Sequence, residues 1–169
     1  MARRAITAAR EARAEVYAPA ELAAAEQAFE KSGAAVTGRD FKLALNHALT
    51  SHERAQAATR LAAEAEAELR GRLGVTLQDA TARLAVAREQ VAAAGKVRAT
   101  RRVSATAGRV LTTIDQDLQK ARASVEAGDL KAAGERLEGI NGRIATAIEP
   151  LSPAKPTVPP ARRRARATR

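Results

Sequence analysis

The sequence has no cysteine and no tryptophan, one tyrosine and two phenylalanines. Without thiols there are no disulfides, no thiolate metal sites and no cysteine nucleophile. With only three aromatics the chain is poor in the side chains that usually dominate a core and that stack on nucleobases. No apolar run approaches the ~18–20 residues needed to cross a bilayer. Arg3 and Arg4 open the chain like a signal peptide, but Arg10 and Glu11 interrupt any apolar segment, so no signal peptide is expected.

What is present is mostly alanine. The apolar fraction is 46%, yet alanine buries little area, so at ~25 cal/mol per Å² the hydrophobic drive is thin. Alanine is also the best helix former. The expectation is an all-α chain of about six helices, packed as antiparallel hairpins in an elongated bundle.

Apolar residues recur at helical spacing along almost the whole chain. Ala2, Ile6, Ala9, Ala12 and Val16 form one stripe, which Tyr17-Ala18-Pro19 interrupts. Proline suits the first turn of a new helix and disfavours helix at the residue before it. The next stripe is Leu22, Ala25, Phe29, Ser32 and Val36, stopped by Thr37-Gly38-Arg39-Asp40. A third helix is expected over about 41–70, with the seam Phe41, Ala44, Ala48, Ser51, Ala55, Ala58, Ala62, Ala65 and Leu69. Leu45, Leu49 and His52 should widen its apolar face. Gly71 and Gly74 predict a break, with Thr76 capping a fourth helix through Leu77, Ala80, Leu84, Ala87, Val91 and Ala94 to about Gly95. Leu111, Ile114, Leu118, Ala121 and Val125 mark a fifth helix. Gly128-Asp129 turns the chain into a sixth, with Leu130, Ala133, Leu137, Ile140, Ile144 and Ala147. Gly134, Gly139 and Gly142 either admit a neighbouring backbone or weaken this last helix. The domain division expected is residues 1–70, 76–149 and a disordered Pro/Arg-rich tail, 150–169.

Aligning Asp40 with Asp129, 89 positions apart, pairs Leu22 with Leu111, Ala25 with Ile114, Phe29 with Leu118, Val36 with Val125, Phe41 with Leu130 and Ala44 with Ala133. Two readings fit: a two-fold internal repeat, or two unrelated amphipathic hairpins with similar turns.

The segments Ala8-Ala9-Arg10, Tyr17-Ala18-Pro19, Leu22, Ala25 and Phe29, followed by Asp40-Phe41, Ala44 and Ala48, resemble a family of alanine-rich bacterial helical domains. That family opens on YAP-x-x-L-x-x-A and turns on G-[DN]-[YF]-x-x-A. The resemblance covers roughly residues 5–67. It implies a helical hairpin with no assigned activity, often found in envelope lipoproteins. The present sequence carries no lipobox cysteine. As written the chain is expected in the cytoplasm, or in the envelope if a lipoprotein signal precedes it. The hairpin at Asp129-Leu130-Lys131 also resembles half of a tetratricopeptide unit, without that repeat's aromatics.

No residue pattern points to catalysis. His47 and His52 are five apart, not the three or four that would place both on one helix face. Asp115 and Asp117, and likewise Glu64, Glu66 and Glu68, are spaced by two and point to different faces. Gly71-Arg72-Leu73-Gly74 follows no strand, so it is not a phosphate loop, and Tyr17 is expected to pack at a helix junction. No enzyme activity, metal or cofactor is expected. The remaining signal is charge. Through Glu149 the chain has 23 basic and 19 acidic residues, net +4; beyond it lie Lys155, Arg162, Arg163, Arg164, Arg166 and Arg169 with no acid. Such a cluster suits phosphates in nucleic acid, or anionic lipid, or serves as a solubilising terminus. Lys96, Arg98, Arg101, Arg102 and Arg109 fall in an acid-free stretch from Gln90 to Thr113. They extend that footprint or form a solvated face. The function expected is a helical scaffold that meets a protein partner or its own copy through helix faces. Nucleic-acid association through the tail is the alternative.

Overall fold

The computed structural model describes residues 1–151. Among them there are helices and turns and no strand. The α-helices are α1 (Ala2–Glu11), α2 (Ala14–Tyr17), α3 (Pro19–Thr37), α4 (Phe41–Gly95), α5 (Arg101–Glu126), α6 (Leu130–Leu137) and α7 (Ile140–Ile148), followed by a 3₁₀ turn, Glu149–Leu151. Six of these are longer than two turns, and α2 is a single turn.

The chain divides into two compact units. The first comprises Met1–Thr76 and Ala123–Gly134, the second Leu77–Arg122 and the described residues from Glu135 onward. This division interleaves segments instead of cutting the chain once.

Where the sequence offered strong stop signals, the structure uses them. Pro19 stands at the first turn of α3. α3 closes through a Schellman arrangement: the Asp40 N–H donates to Ala35 O at 2.9 Å and the Arg39 N–H to Val36 O at 3.0 Å. Asp40 then caps α4, its Oδ1 accepting the Leu43 N–H at 3.0 Å. At the end of α5 the same geometry recurs 89 residues on. The Asp129 N–H donates to Ser124 O at 2.9 Å, the Gly128 N–H to Val125 O at 3.1 Å, and Asp129 Oδ1 accepts the Ala132 N–H at 3.1 Å. The left-handed residue is Arg39 (φ 60°) in one turn and Gly128 (φ 78°) in the other. Burial follows the same register. Leu22 and Leu111, Ala25 and Ile114, Ala44 and Ala133, Ser51 and Ile140, Ala55 and Ile144 are all buried. The 89-residue register therefore holds in turn geometry and at these buried positions, but not at Phe29 and Phe41, which are exposed where Leu118 and Leu130 are buried.

Several expected boundaries are corrected. No break occurs at Gly71 and Gly74, because α4 runs through both. Each glycine costs roughly 1 kcal/mol relative to alanine, but Leu73 and Leu77 are buried and keep the apolar stripe continuous across them. Thr76 is no cap; its hydroxyl donates to Arg72 O one turn back, at 3.0 Å. The first expected helix is split by Arg13 in a left-handed conformation (φ 58°). The last is split by Gly139 (φ 70°), which ends α6 and starts α7.

The core of the first unit is built from small residues. Ile6, Ala9, Ala14, Ala18, Leu22, Ala25, Ala55, Ala58 and Ala62 pack together, with Tyr17 against them. Phe29, Val36 and Phe41, expected in the seams, are exposed; Ala28, Ser32 and Ala35 take the buried stripe of α3. Leu45 and Leu49, expected to widen the apolar face of α4, are also exposed. Close backbone approach explains the choice, since hydroxyls bridge directly to the neighbouring helix. Ser51 Oγ donates to Ala25 O at 2.8 Å and Ser32 Oγ to Ala44 O at 3.0 Å. In the second unit Ser104 Oγ donates to Val91 O at 2.7 Å. That unit buries larger side chains, Leu84, Leu111, Ile114 and Ile140 among them.

Candidate functional site

The described residues expected to bind anions occupy the α4–α5 connection and the start of α5. Lys96 and Arg98 lie in the connection, Arg101 and Arg102 in the first turn of α5, and Arg109 two turns later. All five are exposed. None forms an ion pair with another described residue. The first turn of α5 holds no acid, so its two arginines add to the positive end of the helix dipole. Arg102 and Arg109, seven apart, share a face. Arg162, Arg163, Arg164, Arg166 and Arg169 lie outside the described residues, as does Lys155.

The carboxylates weighed for chemistry are dispersed. Asp115 pairs with Arg88 at 3.2 Å and Asp117 with Arg143 at 2.8 Å. Glu66 and Glu68 pair one turn along α4 with Arg70 and Arg72. Asp79 accepts from Arg83 at 2.8 Å and from Asn141 Nδ2 at 3.0 Å. Its carboxyl is held below the usual range, first by the Arg83 hydrogen bond; lost hydration opposes this, while Asn141 and the Arg83 charge add to it. Among the described residues no three His, Asp or Glu side chains gather as a metal site would require.

Two grooves stand out. In the second unit, Val103, Ala107, Val110, Gly139, Gly142 and Ala147 line about 590 Å³ of mainly apolar space. In the first, Arg4, Ala5 and Ala8 of α1 face His52, Gln56 and Arg60 of α4 across about 600 Å³. Neither groove is lined by a carboxylate.

A further surface feature lies on α4, where Phe41, Leu45 and Leu49 were expected to pack and instead lie open. Phe41, Leu45 and Leu49 form one row at four-residue spacing on α4, and they are 68%, 59% and 51% exposed. The available signal was the crowding of two apolar stripes onto one helix, of which only one can face the seam. No family model, no curated protein and no solved structure matches the chain.

Proposed function

We propose that the chain is a non-enzymatic helical scaffold whose helix faces bind another protein. The observation that carries this reading is the exposed row Phe41, Leu45 and Leu49, set beside a seam that is already packed. Contiguous exposed apolar side chains on a folded surface mark interaction sites. The dispersal of carboxylates into arginine pairs supports the non-enzymatic part. Affinity capture from source-cell extract tests the reading. A protein retained stoichiometrically by the folded chain supports it, and its absence under cross-linking refutes it. Envelope association belongs to the same proposal through the family resemblance, and fractionation reads it out.

A second reading is favoured by one observation, the five exposed cations from Lys96 to Arg109 without an ion-pair partner among the described residues. In this reading they and the Arg162–Arg169 cluster bind nucleic acid without sequence preference. Each phosphate neutralised steepens the salt dependence by about 0.9 in log–log slope on duplex DNA. A low-salt gel shift, lost on deleting residues 150–169 and weakened by R102E/R109E, supports it. No shift at low salt refutes it.

A further inference from the structure

The internal repeat shows what a covered version of the exposed α4 face looks like. Position 41 corresponds to 130, 45 to 134 and 52 to 141. Phe41 is 68% exposed, whereas Leu130 is 2% exposed. Leu45 is open, whereas a Cβ placed on Gly134 would lie 3.8 Å from Leu73 Cδ2 of α4. His52 Nδ1 is buried without a hydrogen-bond partner among the described residues. Its counterpart Asn141 donates through Nδ2 to the Asp79 carboxylate, 3.0 Å away on α4. In the second copy, then, one helix supplies a leucine and, six residues on, a carboxylate. In the first copy no described residue fills either complementary position.

We infer that the face of α4 formed by Phe41, Leu45, Leu49 and His52 docks an amphipathic partner helix that presents a leucine and a carboxylate six residues apart, as α4 presents Leu73 and Asp79. The leucine meets Phe41 and Leu45, and the carboxylate approaches the groove-facing edge of the His52 ring. Charge supports a partner of this kind over a second copy docked face to face. From Phe41 to His52 there is no acid, and Lys42 flanks the row. Arg4 and Arg60 line the adjoining groove. Two such faces opposed would bring like charges together, whereas an acidic helix is attracted. The face also adjoins a groove whose other wall is α1, where Arg4, Ala5 and Ala8 face His52, Gln56 and Arg60. This inference rests on the scaffold reading and names the surface and partner chemistry for it.

The probe is built on the chain's own template, a fluorescent peptide of residues 66–86 made acidic by Arg70→Glu, Arg72→Glu and Arg83→Glu, titrated with the full-length protein. Saturable binding is expected. It should weaken at least ~10-fold when Leu45→Glu places a charge in the contact. The same loss is expected from Leu73→Ser in the peptide, and a smaller one from Asp79→Asn. Leu45 is exposed, so its substitution leaves the fold intact, as circular dichroism verifies. A second measurement fixes the register. The chain has no native cysteine, so L45C in the protein should form a disulfide with L73C in the peptide, and L43C should not. Binding indifferent to L45E, or equal cross-linking at positions 43 and 45, overturns the inference. So does the absence of any binding. Self-association that L45E abolishes would seat a second copy here and overturns it too. If capture from extract succeeds and survives L45E, the scaffold reading stands while this surface fails.

Discussion

Ser51 is fully buried on α4, and its hydroxyl lies 2.8 Å from the Ala25 carbonyl of α3. Two substitutions separate what the hydroxyl does from what its small size does. Ser51→Ala removes one intramolecular hydrogen bond, a net loss of about 1 kcal/mol. The Ala25 carbonyl still faces its own helical N–H, so no acceptor is stranded. Alanine also recovers up to ~0.5 kcal/mol of helix propensity. The net expectation is a loss of roughly 0.5 kcal/mol. Ser51→Val loses the same bond and adds branched volume where two helices are held within hydroxyl reach. Overpacking of that kind costs typically ~1–3 kcal/mol, for a total of about 2–4 kcal/mol. Urea unfolding followed by circular dichroism gives both values from the shift in midpoint at constant slope. The repeat supplies the internal contrast, because the matching pair is Ile140 and Ile114, both buried. If Ser51→Val is tolerated as well as Ser51→Ala, the α3–α4 seam has room to spare and the close-approach argument is wrong.

The two Schellman turns predict opposite responses. Arg39→Gly should stabilise by up to about 1 kcal/mol by relieving a left-handed residue, while Gly128→Ala should cost about 1–2 kcal/mol; thermal midpoints measure both. Asp79 predicts a pH signature. Its folded pKa is depressed, so its contribution is present above the unfolded value near 3.9 and is lost as pH falls through the folded one. Wild type and D79N should therefore differ most in urea midpoint at about pH 6, and the difference should shrink as the pH is lowered.

The helical class and the turns at Asp40 and Asp129 were legible because each is over-determined. A left-handed residue, a capping carboxylate and a restart of the apolar stripe coincide there. Gly71 and Gly74 misled because a glycine ends a helix only when something captures the freed carbonyls. Here the stripe Leu69, Leu73, Leu77, Ala80 runs through them unbroken, a signal already present in the sequence. Phe29 and Phe41 were misplaced for a different reason. Hydrophobicity ranks them above Ala28 and Ala44, but a seam this close admits only small side chains. The break at Arg13 had no local signal. It is stabilised from far along the chain, where Arg13 Nη1 donates to Gly128 O at 2.8 Å. The exposed basic stretch from Lys96 to Arg109 was legible as an acid-free run, whereas the exposed α4 row required knowing which of two stripes packs.

That distant bond bears on how the protein is made. The first unit closes only when Ala123–Gly134 joins Met1–Thr76, so a ribosome must deliver residues through Gly134 before the earliest helices find all their neighbours. Until then Arg13 and Leu73 await partners not yet synthesised. A nascent chain stalled short of that point should remain open to protease although most of its helices already exist.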